Sequence, residues 1–337
     1  MTKDHSSIAW NELKAIIDRN QRFVLTSHVR PDCDALGSEL AMADLLEYLG
    51  KEVRIVNADD VPPRLAFVDP LQRIEVLPED VAELPWERVD VIMVLDTGAW
   101  GQLGHMADVI RHTSALVVVI DHHANEGEIH AMVFKDEAAE ATGRLVADFF
   151  QFLHVPVSES MAGALFAAIA TDTGWFRFSS TRSSTYAVAA RLIDAGARPA
   201  EIFRQLYERD SLSRAKLRGL VLSRLALELD GRVAHTFVLT GDFADTGALR
   251  SETEDFINMA LAIDGTDVAV MLTEHPAGSV KVSLRSRNAA VDCSRIAALF
   301  GGGGHRAAAG ATLSGDVVSV RKRVLAEVQM ALVAPKQ

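Results

Sequence analysis

Four segments of this chain end an apolar run on residues able to bind a hard divalent cation. Ala115-Leu-Val-Val-Val-Ile120 runs into Asp121-His122-His123, and Arg22-Phe-Val-Leu-Thr-Ser27 runs into His28-Val-Arg-Pro-Asp32-Cys-Asp34. Val91-Ile-Met-Val-Leu95 runs into Asp96-Thr-Gly98, and Ala164-Leu-Phe-Ala-Ala-Ile-Ala170 runs into Thr171-Asp172-Thr-Gly174. Two divalent ions held close together need carboxylates, at least one of them bridging, and a few imidazoles. His28, Asp32, Asp34, Asp96, His122 and Asp172 supply that set. Their four carboxylates carry −4, which balances two divalent cations. Oxygen and nitrogen donors without thiolate favour Mn2+, with Mg2+ or Co2+ as substitutes. Asp96 ends a strand with no other candidate beside it in sequence, so it is the expected bridge. Asp121 is expected to orient a ligand histidine, which leaves His123 to contact substrate phosphate. Two ions held this way lower the pKa of a bridging water and make a nucleophile at neutral pH.

Each of these residues has a plainer reading when taken alone. A single Asp34 or Asp172 reads as a helix cap or turn residue. His5, His105, His112, His130, His154, His235 and His275 read as surface or internally satisfied histidines. Cys33 lies between two candidate ligands, but a thiolate is too soft for such a site, so it is a bystander. The joint pattern carries the metal reading: four apolar segments, each ending in Asp, two of them also in His.

A shared site requires one sheet edge to gather these residues. Apolar β-branched runs that stop at charged clusters read as buried parallel strands, and open α/β sheets bind ligands at the strands' carboxyl ends. Helical periodicity covers 7–19, and strand 22–27 precedes the charged loop 28–34. An apolar helix, 35–48, stops at Gly50, and strand 52–57 and a Pro62-Pro63 turn follow. Strands near 90–95 and 115–120 lead to helices near 141–153 and 158–170. This alternation predicts an α/β fold with an N-terminal, mostly parallel sheet flanked by helices. Residues 184–228 read as three helices broken at Gly196–Pro199 and Asp210-Ser211. A smaller C-terminal α/β domain follows: strand 233–240, helix 252–261, strands 267–273 and 280–286, helix 291–300, the Gly301–Gly304 run, a further strand and a helix at 319–333. The expected division is a metal-binding domain at 1–195, a helical linker at 196–228 and a second domain at 229–337.

Bulk properties bound the partners. The net charge of −12 argues against tracking along a long nucleic-acid backbone, though not against a short phosphorylated substrate. Two distant cysteines, Cys33 and Cys293, imply no disulfide framework. Met1–Trp10 lacks an apolar signal-peptide core, and no apolar stretch is long enough to span a bilayer. A cytoplasmic location without membrane contact is the expectation. A second copy of the chain, as a homodimer, stays open as a partner.

These motifs resemble the DHH phosphoesterase superfamily. His28-Val-Arg-Pro-Asp32-Cys-Asp34-Ala-Leu-Gly37-Ser38, Val94-Leu-Asp96-Thr-Gly98, Ile120-Asp121-His122-His123 and Ala170-Thr-Asp172-Thr-Gly174 are similar to its four motifs, in order. Val280-Lys-Val-Ser-Leu-Arg-Ser286, Val291–Ala297 and Gly301-Gly-Gly-Gly-His305 resemble its associated substrate domain. The two-domain layout resembles the group of bifunctional oligoribonucleases and phosphoadenosine-phosphate (pAp) phosphatases. By that resemblance one metal takes His28, Asp32 and Asp96, and the other takes Asp34, Asp96, His122 and Asp172. Arg285, Ser286, the Gly302, Gly303 and Gly304 backbone and His305 would bind substrate. The catalytic set would be Asp96, Asp121 and His123. The implied activity is metal-dependent hydrolysis of short oligoribonucleotides to nucleoside 5′-monophosphates and of pAp to AMP and phosphate. The alternatives are a cyclic-dinucleotide or linear-dinucleotide phosphodiesterase and a single-strand DNA exonuclease of the RecJ type. A manganese pyrophosphatase should lack the glycine-rich His305 motif, and an inactive nucleotide-binding regulator sits badly with an intact ligand set.

Overall fold

The computed structural model describes residues 8–77, 89–123, 129–253, 255–276 and 278–333. Residue 7, where the sequence places the start of the first helix, lies outside them. The chain divides into two compact units, Met1–Glu208 and Arg209–Gln337. Among the described residues no helix is long and apolar enough to cross a membrane.

The first unit is built on six parallel strands: β1 (Arg22–Thr26), β2 (Glu52–Asn57), β3 (Ile74–Val76), β4 (Val91–Leu95), β5 (Leu116–Asp121) and β6 (Met132–Lys135). They lie in the order β3-β2-β1-β4-β5-β6, and every pairing is parallel. The chain starts at β1, adds strands outward to β3, then returns to β4 on the other side. That reversal leaves a crevice beyond the carboxyl ends of β1 and β4, where such sheets bind ligands. The runs are continuously apolar because both faces are covered. In β4, Val91, Met93 and Leu95 join a core that includes Phe23, Leu45 and Phe149, while Ile92 and Val94 join a second core with Met106 and Ile110.

The helices of this unit are α1 (Trp10–Arg19), α2 (Cys33–Tyr48), α3 (Met106–His112), α4 (Thr142–Leu153), α5 (Glu159–Asp172), α6 (Ser183–Asp194) and α7 (Pro199–Tyr207). The fourth apolar run lies in a helix, as the predicted helix over 158–170 requires, and does not share the strand character of the other three. Ala164–Ala170 belongs to α5, so Asp172 stands at the end of a helix while the other three segments end strands. Small residues explain the outcome: alanine at 164, 167, 168 and 170 favours a helix and lets α5 pack closely on α2. At Gly37 an added Cβ would sit 2.5 Å from the Ala164 carbonyl oxygen, so only glycine allows that approach.

The second unit holds α8 (Leu212–Ser223), β7 (Ala226–Glu228), β8 (Val233–Val238), α9 (Thr240–Thr246), α10 (Phe256–Leu261), β9 (Val268–His275), β10 (Ser279–Ser286), α11 (Cys293–Ala298), β11 (Gly303–His305), β12 (Ala308–Ser314) and α12 (Val317–Val333). Its strand order is β11-β12-β10-β9-β8-β7, with β8 and β9 parallel and the other pairs antiparallel. Val270, Val282 and Leu284 pack with Val320, Val324 and Val328 in its main core. The predicted helix over 252–261 is shorter. A 3-10 turn spans Arg250–Thr253, Asp255 takes a left-handed backbone (φ 68), and α10 starts only at Phe256.

Candidate metal centre

Three strand ends and two helix ends of the first unit bring the candidate ligands together. His28 and Asp32 follow β1, Asp34 lies in the first turn of α2, and Asp96 follows β4. His122 follows β5, and Asp172 closes α5. They form overlapping groups: His28 with Asp32 and Asp96, Asp34 with His122 and Asp172, and Asp96 with His122 and His123.

The distances suit shared ions. His28 Nε2 lies 3.4 Å from Asp96 Oδ2 and 4.0 Å from Asp32 Oδ1. His122 Nε2 lies 3.6 Å from Asp96 Oδ1, 3.8 Å from Asp34 Oδ2 and 3.4 Å from Asp172 Oδ2. With ligand atoms about 2.1 Å from an ion, neighbouring ligands sit roughly 3–3.5 Å apart. Asp96 alone faces both histidines, one with each carboxylate oxygen, as a bridging ligand must.

The backbone fixes these side chains. The His28 Nδ1 faces the Val29 carbonyl at 2.9 Å and the His122 Nδ1 faces the Ala139 carbonyl at 3.2 Å. Each ring can donate its Nδ1–H there and keep the Nε2 lone pair for a cation. Asp32 is the N-cap of α2, accepting from the Asp34 and Ala35 amides at 2.9 and 3.1 Å. Asp96 has φ 64, a left-handed backbone that costs free energy in a non-glycine residue. Its N–H still bonds the Ile120 carbonyl at 3.0 Å, so the turn begins where the β4–β5 ladder ends.

Electrostatics provide the test of fit. Burial pushes the Asp34 carboxyl up, and it pushes Asp96 well up, with the Asp34 and Asp32 charges adding to the effect. Burial likewise raises Asp172 to about 8, again with Asp34 and Asp32 contributing. Carboxylates packed this way are costly to ionise without a cation, and divalent ions remove that cost. The Cys33 thiol is pushed up to about 12 by burial and the Asp32 charge, and it belongs to none of the three ligand groups.

Asp121 serves a different histidine from the one expected. Its Oδ1 accepts from the His123 backbone N–H at 3.1 Å and pairs with His123 Nδ1 at 2.7 Å. The ligand-like His122 is oriented by Ala139 instead. The Asp121 bond raises the His123 pKa against the effect of burial. Burial opposes ionisation of Asp121, and the His123 bonds outweigh it and hold its carboxyl low.

Two residues that matter here were not singled out from sequence. Thr142 and Gly143 open α4, and their amides donate to Asp34 Oδ2 and Oδ1 at 2.7 and 2.8 Å. The Thr142 hydroxyl donates to Asp96 Oδ1 at 2.8 Å. The available signal was Ala141-Thr-Gly143 ahead of an apolar helix, a pattern that reads only as a helix start.

The remaining candidates belong to the second unit. Arg285 is half-buried on β10 and opposite Ala308 of β12. The Ser286 hydroxyl donates toward the Asn288 carbonyl at 3.1 Å or the Asp267 carbonyl at 3.3 Å, and it can accept from the Asn288 amide at 3.1 Å. It therefore shapes the turn after β10. The glycine run is not an open loop. Gly301 (φ 74) and Gly302 end α11, their amides bonding the Ala298 and Ala297 carbonyls at 3.1 and 2.9 Å. The Gly302 amide is thereby committed to the helix end. Gly303 and Gly304 form β11, opposite Gly310 and Ala309. An added Cβ on Gly302 would lie 2.2 Å from the Gly310 carbonyl oxygen, which explains glycine there without any ligand. His305 ends β11, and its side chain lies outside the described residues.

The N-terminal domain of the DHH family matches residues 22–169, and the DHHA1 domain matches residues 230–334. A bifunctional oligoribonuclease and PAP phosphatase NrnA from Thermus thermophilus is 33% identical over 306 residues, covering 90% of this chain and 88% of the relative. The protein of the same name from Bacillus subtilis is 27% identical over 306 residues, covering 90% of this chain and 92% of its own. The crystal structure of an exopolyphosphatase-related protein from Bacteroides fragilis superposes with a TM-score of 0.90 at 26% identity, covering 98% of this chain and 97% of that one. The motifs that gather around Asp96 fall inside the DHH match or directly after it, and the chain belongs to the DHH phosphoesterase superfamily, with a DHHA1 domain behind its DHH domain.

Proposed function

We propose that this protein is a metal-dependent phosphoesterase for small nucleotides. Its substrates are short oligoribonucleotides, cut to nucleoside 5′-monophosphates, and pAp, cut to AMP and phosphate. The observation that carries this reading is the position of Asp96, with one carboxylate oxygen toward His28 and the other toward His122. The substrate assignment draws support from the Thermus and Bacillus relatives, which align over nine-tenths of the chain.

His28, Asp32 and Asp96 would hold one divalent ion, and Asp34, Asp96, His122 and Asp172 the other, with Mn2+ the best match to the donors. Bound there, the ions would activate water for attack and offset charge on the phosphoryl oxygens. The chain's own groups do the rest. Asp32, Asp34 and Asp96 hold the ligand geometry through the α2 and α4 N-termini. His123, its Nδ1 held by Asp121, would turn its Nε2 to a non-bridging phosphate oxygen and donate a hydrogen bond there when protonated, a state that the Asp121 bond favours. In the second unit, Arg285, the β11 backbone and His305 are the proposed nucleotide-binding groups.

A side-by-side assay with Mn2+, Mg2+ and Co2+ tests the reading, using pAp, diribonucleotides, long RNA, single-stranded DNA and linear and cyclic dinucleotides. Phosphate release from pAp and 5′-monophosphates from diribonucleotides are expected, with Mn2+ giving the highest turnover. Turnover confined to cyclic dinucleotides would move the protein to the dinucleotide phosphodiesterases. Digestion confined to long DNA would move it to the exonucleases.

A further inference from the structure

Five residues past Asp34, helix α2 carries a glutamate into the core. Glu39 has 0% of its surface exposed. Its Oε2 accepts from Nδ2 of Asn57, the last residue of β2, at 3.0 Å. Oδ1 of the same Asn57 faces the end of β1: the Ser27 amide donates to it at 3.1 Å and the Thr26 hydroxyl at 3.4 Å. Ser27 immediately precedes His28. The Ser27 hydroxyl is buried beside the Glu39 carboxyl. Neither Ser27 Oγ nor Glu39 Oε1 has a hydrogen bond of good geometry, and the Ser27 hydroxyl is the neutral group placed to reach the Glu39 carboxyl on that side.

None of the ion pairs among the described residues includes Glu39. The elements around it offer Thr26, Ser27 and Asn57, all neutral, and the charged group that acts on it is the like-signed Asp69. Burial pushes the Glu39 carboxyl up to about 8, against the Asn57 and Ser27 bonds and with help from Asp69. A buried carboxyl with no cation takes a proton rather than keep its charge.

We propose that Glu39 is a positioning residue of the metal centre: through Asn57 its buried carboxyl ties α2, which presents Asp34, to the ends of β1 and β2, and so fixes where His28 stands. The inference rests on the reading that His28 and Asp34 hold metal ions. Glutamine reproduces the neutral acid, because its amide can donate to Ser27 and accept from Asn57. Alanine removes both links.

The test compares the full-length wild type, Glu39→Gln and Glu39→Ala. Mn2+ affinity is measured by titration calorimetry, and kcat and KM for a diribonucleotide are measured across neutral and alkaline pH. Glu39→Gln should keep Mn2+ affinity within about threefold. Glu39→Ala should bind Mn2+ roughly tenfold more weakly, about what one lost buried hydrogen-bond partner costs, with kcat falling and KM little changed. Wild type should lose kcat above about pH 8 as Glu39 ionises, and Glu39→Gln should lack that loss. Wild-type Mn2+ affinity and kcat in Glu39→Ala would overturn the proposal, as would a Glu39→Gln variant as impaired as alanine. If Glu39→Ala does not fold, the other pair decides, and identical alkaline limbs overturn it. A wild type that binds no Mn2+ overturns the metal reading, and this inference with it.

Discussion

The hydroxyl of Thr142 donates a 2.8 Å hydrogen bond to Oδ1 of Asp96, a residue 46 positions earlier in the chain. That oxygen is the one that faces His122. The same turn of α4 gives its first amides to Asp34, so one helix N-terminus orients both buried carboxylates of the site. A helix start is suited to this task, because its amides have no partners within the helix and its dipole favours negative charge.

Thr142→Val keeps the shape and removes the donor, leaving Asp96 Oδ1 short of a partner. One such bond to a charged group is worth about 1.5–3 kcal/mol, so Mn2+ should bind roughly ten- to a hundredfold more weakly. Thr142→Ser should bind like wild type. Titration calorimetry reads both, and an unaltered Thr142→Val would show that the amides alone orient the site.

Asp96→Asn should abolish turnover and reduce the bound metal to fewer than two ions per chain. The fold should survive with a modest drop in melting temperature, because metal sites stabilise the loops that form them. Metal analysis after gel filtration, alongside the assay, decides the matter. Near-wild-type turnover would remove Asp96 from the bridging position.

Metal binding should depend steeply on pH. Without a cation, burial raises Asp34, Asp96 and Asp172, the last to about 8. Ions must therefore displace protons, so Mn2+ affinity should climb from about pH 6 to pH 8 and protons should be released. A carboxyl raised in the folded state binds more protons folded than unfolded, so the metal-free protein loses stability as pH rises toward 8. The melting-temperature gap between Mn2+-loaded and chelator-treated protein should widen over that range. Calorimetry in two buffers of different ionisation heat counts the protons, and an affinity independent of pH would contradict the assignment.

Much of the site was legible because its residues cluster at the ends of apolar runs. His28, Asp32 and Asp34 share one loop, and His122 and His123 share another. Asp172 was legible both as a ligand and as the end of the predicted helix over 158–170, although the same seven-residue apolar run also matched the pattern of the three strand ends, because periodicity alone does not separate a buried strand from a buried helix. The short edge strands β3 and β6, with three and four residues, offer too little periodicity to register. Thr142, Gly143 and Glu39 were not legible, because their partners lie 18 to 109 positions away and only the packed sheet brings them together. The glycine run was legible as a special backbone, but two of its residues turned out to terminate α11.

Gly143 is a position where a single methyl should be felt. Its added Cβ would lie 2.6 Å from the Ala168 Cβ and 3.2 Å from Asp34 Oδ1. Gly143→Ala should cost about 1–3 kcal/mol by overpacking, and it should weaken Mn2+ binding as well by displacing Asp34. Gly163, within α5, has nothing within 4 Å of its would-be Cβ. Gly163→Ala should therefore be neutral or stabilising by up to about 1 kcal/mol. Urea unfolding of the two variants separates overpacking from helix propensity, and equal effects of opposite expectation would refute the packing argument.

Substrate length should be set by how few cations the chain can offer. The net charge is −12. Of the arginines near the motifs, Arg306 spends a guanidinium bond on the Ala289 carbonyl at 2.6 Å, and Arg287 spends one on the Leu261 carbonyl. Among the described residues, Arg285 makes a long 3.4 Å contact with its neighbour's carbonyl. Arg30 follows β1 beside His28, and its amide is held by Asp59. This supply suits two or three phosphates. Ordered binding of long single strands needs a continuous basic track with stacking platforms, and no run of Lys or Arg interleaved with aromatics occurs in the sequence. Activity should be highest on substrates of about two to five nucleotides. The logarithm of kcat/KM should fall with that of salt concentration at a slope near −1.5 to −2, about 0.7 per neutralised phosphate. A length series of 5′-labelled RNA at several salt concentrations measures both. Processive digestion of long strands with a much steeper salt slope would reverse the substrate assignment.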